Sequence, residues 1–321
     1  MLNTDNQKNG ELKGLTNEVS DTSKKEIIHD GVLIEDTFAE ALDAWIASIV
    51  ITASKRDLAE TAAISAIGYG TSIIGCGAEA GIADYVIPQL SPDGRPGVTI
   101  LLVHPDKKQL KEQVIDRIAE CILTAPTTAV FNGLPKAPER IPIKIHYFGD
   151  GFEYQTNVRD RNVWAIPIMG GEFLIEEEIG IVKGVAGGNF FVMGNSQMAA
   201  LTAAQAAVEA ILSLDETICS FPGGVVSSGS KVGSLKYKFM KATTNHLFCP
   251  TLKDTLPDSL VPEGVRAIYE IVIDGTSYGI VKQAIHDGIH AACSIDGIIK
   301  ISAGNYGGKL GPHKFYLRDS V

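Results

Sequence analysis

A weak internal repeat constrains the fold of this chain more than any single motif does. Residues 97–103 read as an apolar strand, and Asp106 then caps a helix with one apolar face. Residues 267–273 read as a second strand of this kind, and Ser277 caps the helix that follows it. The two copies lie about 170 residues apart, roughly half the length of the chain. The repeat therefore predicts two lobes of similar fold.

Further elements surround each copy of the repeat. Thr37 and Glu40 have the spacing of a capping box, which predicts a helix over residues 37–53. Helices are also predicted at 57–67 and 196–214, Gly/Ser-rich strand regions at 68–81 and 223–233, and a closing strand at 298–302. Each half therefore reads β-α-β-β-α-β, the order of the ferredoxin-like unit, in which two helices cover one face of an antiparallel sheet. The predicted fold class is α+β, with two such lobes and a cleft between them.

The ends of the predicted lobes follow from composition. Residues 1–30 are polar and carry few large apolar side chains, so we expect a flexible tail that cannot bury enough surface to offset the entropy of ordering. Proline and glycine between Pro167 and Gly171 mark the crossover between halves. The predicted domains are an N-terminal lobe at 31–169 and a C-terminal lobe at 170–321.

Charge and cysteine content exclude several classes of protein. Lys and Arg number 28 against 38 Asp and Glu, giving a net charge of −10, and no window holds a dense Lys/Arg run. A nucleic-acid or membrane-surface partner is therefore not expected. Five widely spaced cysteines form no C-x-x-C pair, and the charged N-terminal residues lack the apolar stretch of a secretory signal. These features predict a cytoplasmic protein without a membrane segment.

The strand at 267–273 carries one carboxylate among apolar side chains. Because side chains alternate across a strand, Glu270 and Ile271 lie on opposite faces. The neighbours of Glu270 on its own face are Ile268 and Val272. Burial disfavours the charged form of a carboxyl group and raises its pKa, which suits a proton donor or acceptor near neutral pH. The alternative is a cross-strand salt bridge at a sheet edge, and the spacing alone leaves both interpretations open.

Several glycine-rich segments can bring backbone amides close to a polar ligand. They are 68–70, 184–189, 223–230 and 302–311. The third resembles a P-loop only superficially, because Lys231 follows Ser230 where the pattern requires Gly-Lys followed by Ser or Thr. No G-x-G-x-x-G stands between a strand and a helix, which argues against a Rossmann dinucleotide site.

Two weaker patterns concern metal and thiol chemistry. His286 and His290 have the i, i+4 spacing of a zinc helix, but HDGIH lacks the glutamate of the metalloprotease motif and contains Gly288. A solvated or half-buried helix face is the favoured interpretation, and no metal site is predicted. Cys76 lies in a glycine-rich turn without an identifiable histidine partner, which favours a packed thiol.

The order of specific segments resembles the formylmethanofuran–tetrahydromethanopterin formyltransferase family from about Gly31 to the C-terminus. The matching segments are VLIEDTFAEA (32–41), GYGTSIIGCGAEAGI (68–82), PDGRPGV (92–98), LTAPTTAVFNGLP (123–135), GVAGGNFF (184–191), FPGGVVSSGSKVGS (221–234), YEIVIDG (269–275) and KISAGNYGGKLG (300–311).

The resemblance implies a two-lobed, ferredoxin-like duplication, a homotetramer and an active cleft between the lobes. It implies transfer of a formyl group between the amine of a methanofuran-type carrier, formylmethanofuran or its methylofuran counterpart, and N5 of tetrahydromethanopterin. These small carriers of one-carbon metabolism, used in methanogenesis or formaldehyde oxidation, would be substrates, with no permanently bound cofactor. A proton-carrying role for Glu270 is implied by the same resemblance.

Further substrate-binding residues are expected where polar groups in matching segments accompany glycine-rich backbone. They are Asp93, Arg95, Asn189, Ser228, Ser230, Lys231, Asn305, Tyr306 and Lys309. Loop amides at 187–189 or 304–305 are expected to stabilise the oxyanion of a tetrahedral intermediate.

An alternative function places the chain in a different class of protein, a subunit without catalytic activity. Related chains in methylotrophic bacteria act within a formyltransferase/hydrolase complex, so this chain could be a non-catalytic assembly subunit of such a complex. An intact Glu270 argues for the enzyme.

Overall fold

A computed structural model describes residues 27–321. Four α-helices are present in this range: α1 (Arg56–Ile67), α2 (Lys107–Arg117), α3 (Gln197–Leu212) and α4 (Tyr278–Cys293). The strands are β1 (Ile27–His29), β2 (Val32–Ile34), β3 (Phe38–Thr52), β4 (Glu79–Val86), β5 (Gly97–His104), β6 (Ala129–Asn132), β7 (Glu139–Pro142), β8 (Tyr154–Val158), β9 (Arg161–Ile168), β10 (Gly171–Ile175), β11 (Glu178–Gly194), β12 (Thr217–Ile218), β13 (Ser230–Val232), β14 (Ala242–Thr244), β15 (Ala267–Gly275), β16 (Ile298–Ser302) and β17 (His313–Tyr316). The fold is mixed α+β.

The strands of the two halves follow the same order. In the first half β4 pairs with β5, β5 with β3 and β3 with β6, all antiparallel. In the second half β12 pairs with β15, β15 with β11 and β11 with β16, again antiparallel. The long strands β3 and β11 also pair with each other, through Leu42–Ala47 and Ile181–Ala186, which joins the halves into one sheet.

Each half buries two helices against one face of its strands. Helix α1 carries alanines at positions 59, 62, 63 and 66, and α3 carries them at 200, 203, 204 and 207. These small side chains lie on one helical face and let the helix approach the sheet closely. The buried side chains of α1 and α2 share one core with alternate residues of β3 and β5, and those of α3 and α4 share another with β11 and β15.

The helix predicted over 37–53 is wrong, because Phe38–Thr52 is a strand of 15 residues. The strand is buried on both faces over most of its length. Such a strand has an almost continuous apolar run, which also satisfies a helical period. The counterpart of helix α3 in the repeat is therefore α1, while β3 corresponds to β11. Glu40, assigned to a capping box, lies within β3.

The first ordered residues of the chain also differ from the prediction. Ile27–His29 pairs with Val32–Ile34 across a turn at Asp30 and Gly31, both with positive φ. Asp-Gly between two short, largely apolar runs, 27–29 and 32–34, is a hairpin signal that the composition of the segment obscured. The last residues of the predicted tail are therefore a strand and turn, and residues 1–26 lie outside the described range.

The Gly/Ser-rich regions contain less strand than predicted. Residues 68–78 form turns before β4 begins at Glu79. Residues 223–229 contain a single bridge at Val226 before the short strand β13. Between residues 27 and 321, no helix is long and apolar enough to cross a membrane.

Candidate active site

Glu270 lies in the middle of β15, on the sheet face opposite the helices. Tyr269 and Ile271 pack in the helix-covered core, whereas Ile268 packs with Phe191 and Phe248 on the other side. The predicted alternation of the strand is therefore confirmed. The backbone of Glu270 pairs with Phe191 on one side and is hydrogen-bonded in both directions to Val226 on the other.

The side chain of Glu270 faces a cavity of about 150 Å³. The cavity is lined by Phe191, Val226, Ser227, Ser228, Gly229, Asn245, Phe248, Cys249, Pro250, Thr251, Ile268 and Glu270. All of these residues belong to the second half of the chain. A larger cavity, of about 610 Å³, does lie between the halves, with walls from 64–85 and 208–224, but Glu270 does not line it.

The carboxyl group of Glu270 has no counter-charge within the described range. No hydrogen bond or ion pair to this carboxyl group occurs among residues 27–321. Burial raises its pKa to about 7, and no other cause acts on it. The geometry therefore does not support the cross-strand salt bridge, and it leaves a carboxyl group that exchanges a proton near neutral pH.

Polar side chains in the cavity wall have free hydrogen-bonding capacity. Ser228 is a predicted residue that the structure brings to Glu270, and Asn245 and Thr251 were missed. The side chain of Asn245 makes no hydrogen bond to any described residue, so its amide can donate to a bound group. No local motif marks Asn245 or Thr251, which come from a long segment outside the repeat.

A loop at 303–311 brings Tyr306 close to Glu270. Burial is the main reason that the pKa of Tyr306 is raised, and the nearby charge of Glu270 raises it further. The backbone of Val232 is hydrogen-bonded to the phenol. Because the ordinary pKa of a tyrosine is already about 10, the hydroxyl group is protonated at neutral pH and can donate a hydrogen bond. Asn305, in the same loop, donates to Thr37 Oγ1 at 3.1 Å.

Glu40 holds this loop in place and was not predicted as a site residue. Only 1% of Glu40 is exposed. Its carboxylate accepts from the backbone N–H groups of Tyr306 at 2.7 Å and Gly308 at 3.2 Å, and also from Leu310 and Gly311. Burial by itself would raise the pKa of Glu40, but the four N–H donors together lower it below its ordinary value.

Two of the loop amides expected to stabilise an oxyanion already donate to side chains. Gly187 donates its N–H to Asp274 Oδ1 at 2.9 Å, and Gly304 donates to Asn189 Oδ1 at 2.8 Å. Asn189 therefore anchors the 303–311 loop through its side chain. The Gly187 and Gly304 amides are therefore not available to an oxyanion, because long-range side chains that no local pattern reveals accept from them.

The remaining predicted residues lie in a small hairpin, in the 303–311 loop and in a separate network around Asp93. Lys231 donates to Thr243 Oγ1 and, at 3.3 Å, to the Thr244 carbonyl, so its ammonium group points along a small hairpin. Ser230 begins the same hairpin and is exposed, as is Lys309 in the 303–311 loop.

Asp93 and Arg95 lie far from Glu270 within one chain. The Arg95 guanidinium pairs with Asp93 at 2.7 Å, and Thr52 donates to the same carboxylate at 2.7 Å. Because β3 and β11 are antiparallel, Thr52 and Phe191 stand at opposite ends of the joined sheet. The separation along the strands is on the order of 40 Å at about 3.3 Å per residue. These two residues therefore form a separate polar network.

The two patterns judged weak in the sequence are the histidine pair on α4 and the thiol of Cys76. The ring centroids of His286 and His290 lie 4.3 Å apart with the rings tilted, and His286 Nδ1 lies 2.8 Å from Asp287 Oδ1. Across residues 27–321, no group of three His, Cys, Asp or Glu side chains is placed to hold a metal ion. Burial raises the pKa of the Cys76 thiol, which donates to the Ser72 carbonyl, so this cysteine is not activated.

Models of known families match both halves of the chain. Residues 27–168 match the model described as formylmethanofuran-tetrahydromethanopterin formyltransferase, and residues 171–320 match the model described as its proximal lobe.

Similar proteins carry the same name. The chain is 55% identical over 292 residues to the formylmethanofuran–tetrahydromethanopterin formyltransferase of Methanothermobacter thermautotrophicus, an alignment that covers 90% of this chain and 98% of the relative. It is 53% identical over 295 residues to the protein of that name from Methanocaldococcus jannaschii, with the same coverage of 90% and 98%.

Solved structures agree with these relatives. The formyltransferase from Methanosarcina barkeri superposes with a TM-score of 0.89 at 50% identity, over 92% of this chain and all of the other. A chain of the formyltransferase/hydrolase complex from Methylorubrum extorquens, solved with methylofuran, gives a TM-score of 0.87 at 42% identity, over 92% and 98% of the two chains. Sequence and structure together place this chain in the formylmethanofuran–tetrahydromethanopterin formyltransferase family.

Proposed function

We propose that the chain transfers a formyl group between the amine of a methanofuran-type carrier and N5 of tetrahydromethanopterin. Both carriers are substrates, and the residues described here supply all the groups that the proposed steps use. The observation that carries the proposal is Glu270, a carboxyl group without a counter-charge and with a pKa of about 7, at a cavity in a member of this family.

The proposed reaction is a direct attack of one amine on the formyl carbon of the other carrier. The N5 nitrogen forms the new C–N bond, and the carbonyl electron pair moves to oxygen to give a tetrahedral intermediate. Collapse of the intermediate restores the carbonyl group and breaks the bond to the furan carrier's nitrogen. Glu270 takes the proton from N5 and delivers it to the departing nitrogen, which leaves as a neutral amine.

Hydrogen-bond donors around the cavity match the needs of this intermediate. The amide of Asn245 and the protonated hydroxyl of Tyr306 are proposed to stabilise the developing negative charge on oxygen. Ser228, in the cavity wall, and Asn305, in the 303–311 loop, are proposed substrate contacts. Asn189 acts by anchoring the loop that carries Tyr306.

The other predicted substrate contacts remain proposals with distinct positions. Ser230, Lys231 and Lys309 stand around the mouth of the site, in the hairpin and the 303–311 loop. Asp93 and Arg95 stand at the opposite end of the joined sheet from Glu270, so their proposed role is contact with a carrier held by another copy of the chain.

We further propose two ferredoxin-like lobes at residues 31–169 and 170–321. The order β4-β5-β3-β6 in one half and β12-β15-β11-β16 in the other supports this division, as do two helices on one face of each. The family matches change from one model to the other at 168 and 171, close to the proposed boundary.

The proposed setting is the cytoplasm, as a homotetramer or together with hydrolase subunits. Free thiols at all five cysteines fit a reducing compartment. The Methylorubrum chain works within a formyltransferase/hydrolase complex, which supports such an assembly. The pKa and position of Glu270 favour catalysis over a purely structural subunit.

Purified full-length chain, supplied with formylated furan carrier and tetrahydromethanopterin, tests the activity. We expect formation of the N5-formyl pterin without added metal, nucleotide or hydrolase subunits. An inactive single chain that gains turnover only when another catalytic subunit is added would support the assembly role instead.

A further inference from the structure

Three of the seven histidines of the chain lie together where the N-terminal hairpin, residues 27–34, meets α4. His286 and His290 are one turn apart on α4, and His29 belongs to β1. The ring centroid of His290 is 4.1 Å from that of His29 and 4.3 Å from that of His286, so His290 contacts both of the others. The proposed formyl transfer uses none of these three residues, called here the histidine cluster.

The surroundings of His29 suit a neutral imidazole ring. Its Nε2 atom is shielded from solvent and makes no hydrogen bond to any residue of the range 27–321. Asp30 Oδ2 lies 3.6 Å from this nitrogen, which is beyond the usual length of a hydrogen bond. A neutral ring can leave one nitrogen without a proton, whereas an imidazolium carries an N–H at both. Protonation of His29 would therefore place an N–H there without an acceptor at hydrogen-bond distance.

His290 is the member of the cluster that has no carboxylate of its own. His286 Nδ1 lies 2.8 Å from Asp287 Oδ1, whereas no described carboxylate lies within ion-pair distance of His290. The His290 ring is hydrogen-bonded to the backbone of Ser320. Burial is the main reason that the pKa of His290 is lowered, and positive charge on His29 and His286 lowers it further. The bond to Ser320 and the charge of Asp287 oppose this effect without cancelling it.

The charged and titratable groups around the cluster come from three segments. The hairpin contributes Asp30 and α4 contributes Asp287. Burial, helped by the charge of Asp30, raises the pKa of the Cys293 thiol on α4 to about 12, so this group stays neutral. The turn at the C-terminus carries Arg318 and Asp319, both exposed. Full protonation therefore sets three positive rings against two neighbouring carboxylates.

The N-terminal hairpin has few other attachments. β1 stands at the edge of the sheet and, within the described residues, pairs only with β2, over three residues. β2 in turn pairs with β16 through Leu33 and Ile34. Ile27 packs against the core beneath, whereas Ile28 is 63% exposed. The contact of His29 with α4 is therefore one of the few that hold β1 on the helix.

The hairpin continues directly into the segment that holds the 303–311 loop. β3 begins four residues after β2 ends. Thr37 Oγ1, between the two strands, accepts from Asn305 at 3.1 Å, and Glu40 accepts from the backbone of the same loop. The hairpin and the loop therefore share one anchoring segment.

We propose that His29, His286 and His290 form a pH-sensitive contact that holds the N-terminal hairpin on α4 at neutral pH and releases it in mild acid. Neutral rings pack against one another, whereas imidazolium rings repel and leave a shielded N–H unpaired. This inference goes beyond the proposed formyl transfer and is tested without turnover.

The direction of the pH dependence follows from the surroundings of His290. The closed hairpin keeps this ring neutral at a pH where the open chain protonates it, so opening takes up a proton. The contact is at full strength above the unfolded pKa of about 6.5 and weakens as the pH falls below it. One histidine that stays neutral in the closed state raises the equilibrium constant for opening about tenfold between pH 7.5 and pH 5.5.

Hydrogen exchange of the full-length chain measures this opening. We expect protection factors for peptides that cover 27–34, corrected for the intrinsic rate at each pH, to fall about tenfold from pH 7.5 to pH 5.5 in wild type. In His29→Gln/His290→Gln, which removes two ionising rings and keeps polar groups, the fall should be within about twofold. His104→Gln removes a half-buried histidine from the other half of the chain and should behave as wild type.

Two further measurements keep the test decisive. If the double variant is already unprotected at pH 7.5, His290→Phe keeps a ring in the cluster without its ionisation, and its fall should be smaller than that of wild type. Peptides from α3, which belongs to the same half of the chain, should keep their protection at pH 5.5 in every variant, which separates local release from unfolding.

Three results would overturn the proposal. One is wild-type protection of 27–34 that is the same at both pH values. Another is an equal fall in wild type and in the variants that lack His290, because the titrating group would then lie elsewhere. The third is a fall in α3 as large as that in the hairpin, which would show unfolding of the whole half.

Discussion

Two buried glutamates show how surroundings set the role of one residue type. Glu270 has no counter-charge or hydrogen-bond donor within the described range, and burial alone raises its pKa to about 7. Glu40 is at least as deeply buried, but four backbone N–H groups stabilise its charged form and lower its pKa. The first residue is suited to carry protons, and the second to hold backbone in place.

Tyr306 tests the proposed stabilisation of the intermediate. Removing one preorganised donor to an oxyanion lowers kcat by roughly 10²- to 10³-fold in other enzymes. We expect Tyr306→Phe to lower kcat by about 10²-fold while KM for both carriers and the melting temperature change little. Steady-state kinetics beside thermal unfolding measure this. A variant with normal kcat would remove Tyr306 from the mechanism.

The loop at 303–311 depends on a single buried carboxylate from the other half of the chain. Glu40→Gln keeps the shape of the side chain but replaces one acceptor oxygen with a donor that faces backbone N–H groups. Leaving such groups unpaired costs about 1–3 kcal/mol. We expect a loss of stability of this size together with a raised KM, whereas the exposed Glu209→Gln should change neither.

Acid should diminish the difference between wild type and Glu40→Gln. Because the pKa of Glu40 is lowered on folding, its stabilisation is present above the unfolded pKa of about 4.3 and is lost as the pH falls through the lowered folded value. Urea unfolding at pH 7 and pH 4 measures the difference in unfolding free energy between wild type and Glu40→Gln at each pH. An equal difference at both pH values would mean that folding does not lower the pKa of Glu40.

Structural features set by neighbouring residues were predictable from the sequence. Features set by burial or by residues far along the chain were not. Asp106 and Ser277 cap their helices as the sequence indicates, because their side chains accept from N–H groups three residues ahead. The strand at Phe38–Thr52 was misassigned because burial on both faces removes the alternation that identifies a strand. The partners of Glu40 lie more than 260 residues along the chain, so no local spacing reveals them.

At the scale of the whole molecule, a pair of buried carboxyl groups connects the halves. Glu79 comes from β4 and Asp274 from β15, and each carboxyl group affects the pKa of the other. Burial is the main cause that raises both pKa values, so the pair retains a proton that the unfolded chain gives up. Its stabilisation is complete below about pH 4 and is lost as the pH rises through the raised folded values.

Asp274→Asn should flatten this dependence on pH. The Asn side chain can still accept from the Gly187 N–H and can donate an N–H to Glu79 in place of the acid proton. We expect the unfolding free energy of wild type to decline more steeply between pH 5 and pH 9 than that of the variant. The exposed Asp258→Asn is the control, and identical slopes for wild type and Asp274→Asn would contradict the shared proton.

The repeat made the general arrangement of the molecule predictable, but only part of its site. Glu270 follows from strand parity, which is a local property. Asn245 and Thr251 come from the segment between β12 and β15, which has no counterpart of similar length in the first half. The contacts of this segment depend on how it folds across the sheet. No sequence motif or hydrophobic periodicity specifies that arrangement.

The central claim is that Glu270 carries the proton between the two amines. Glu270→Gln keeps the volume of the side chain and removes its ionisation, so kcat should fall by roughly 10²- to 10⁴-fold while carrier binding and thermal stability change little. The most direct measurement is kcat/KM against pH for wild type and this variant, beside thermal unfolding of both. The account predicts an ionisation near pH 7 in the wild-type profile that is absent from the residual activity of Glu270→Gln. A stable variant with near-normal turnover and the same pH profile would contradict it.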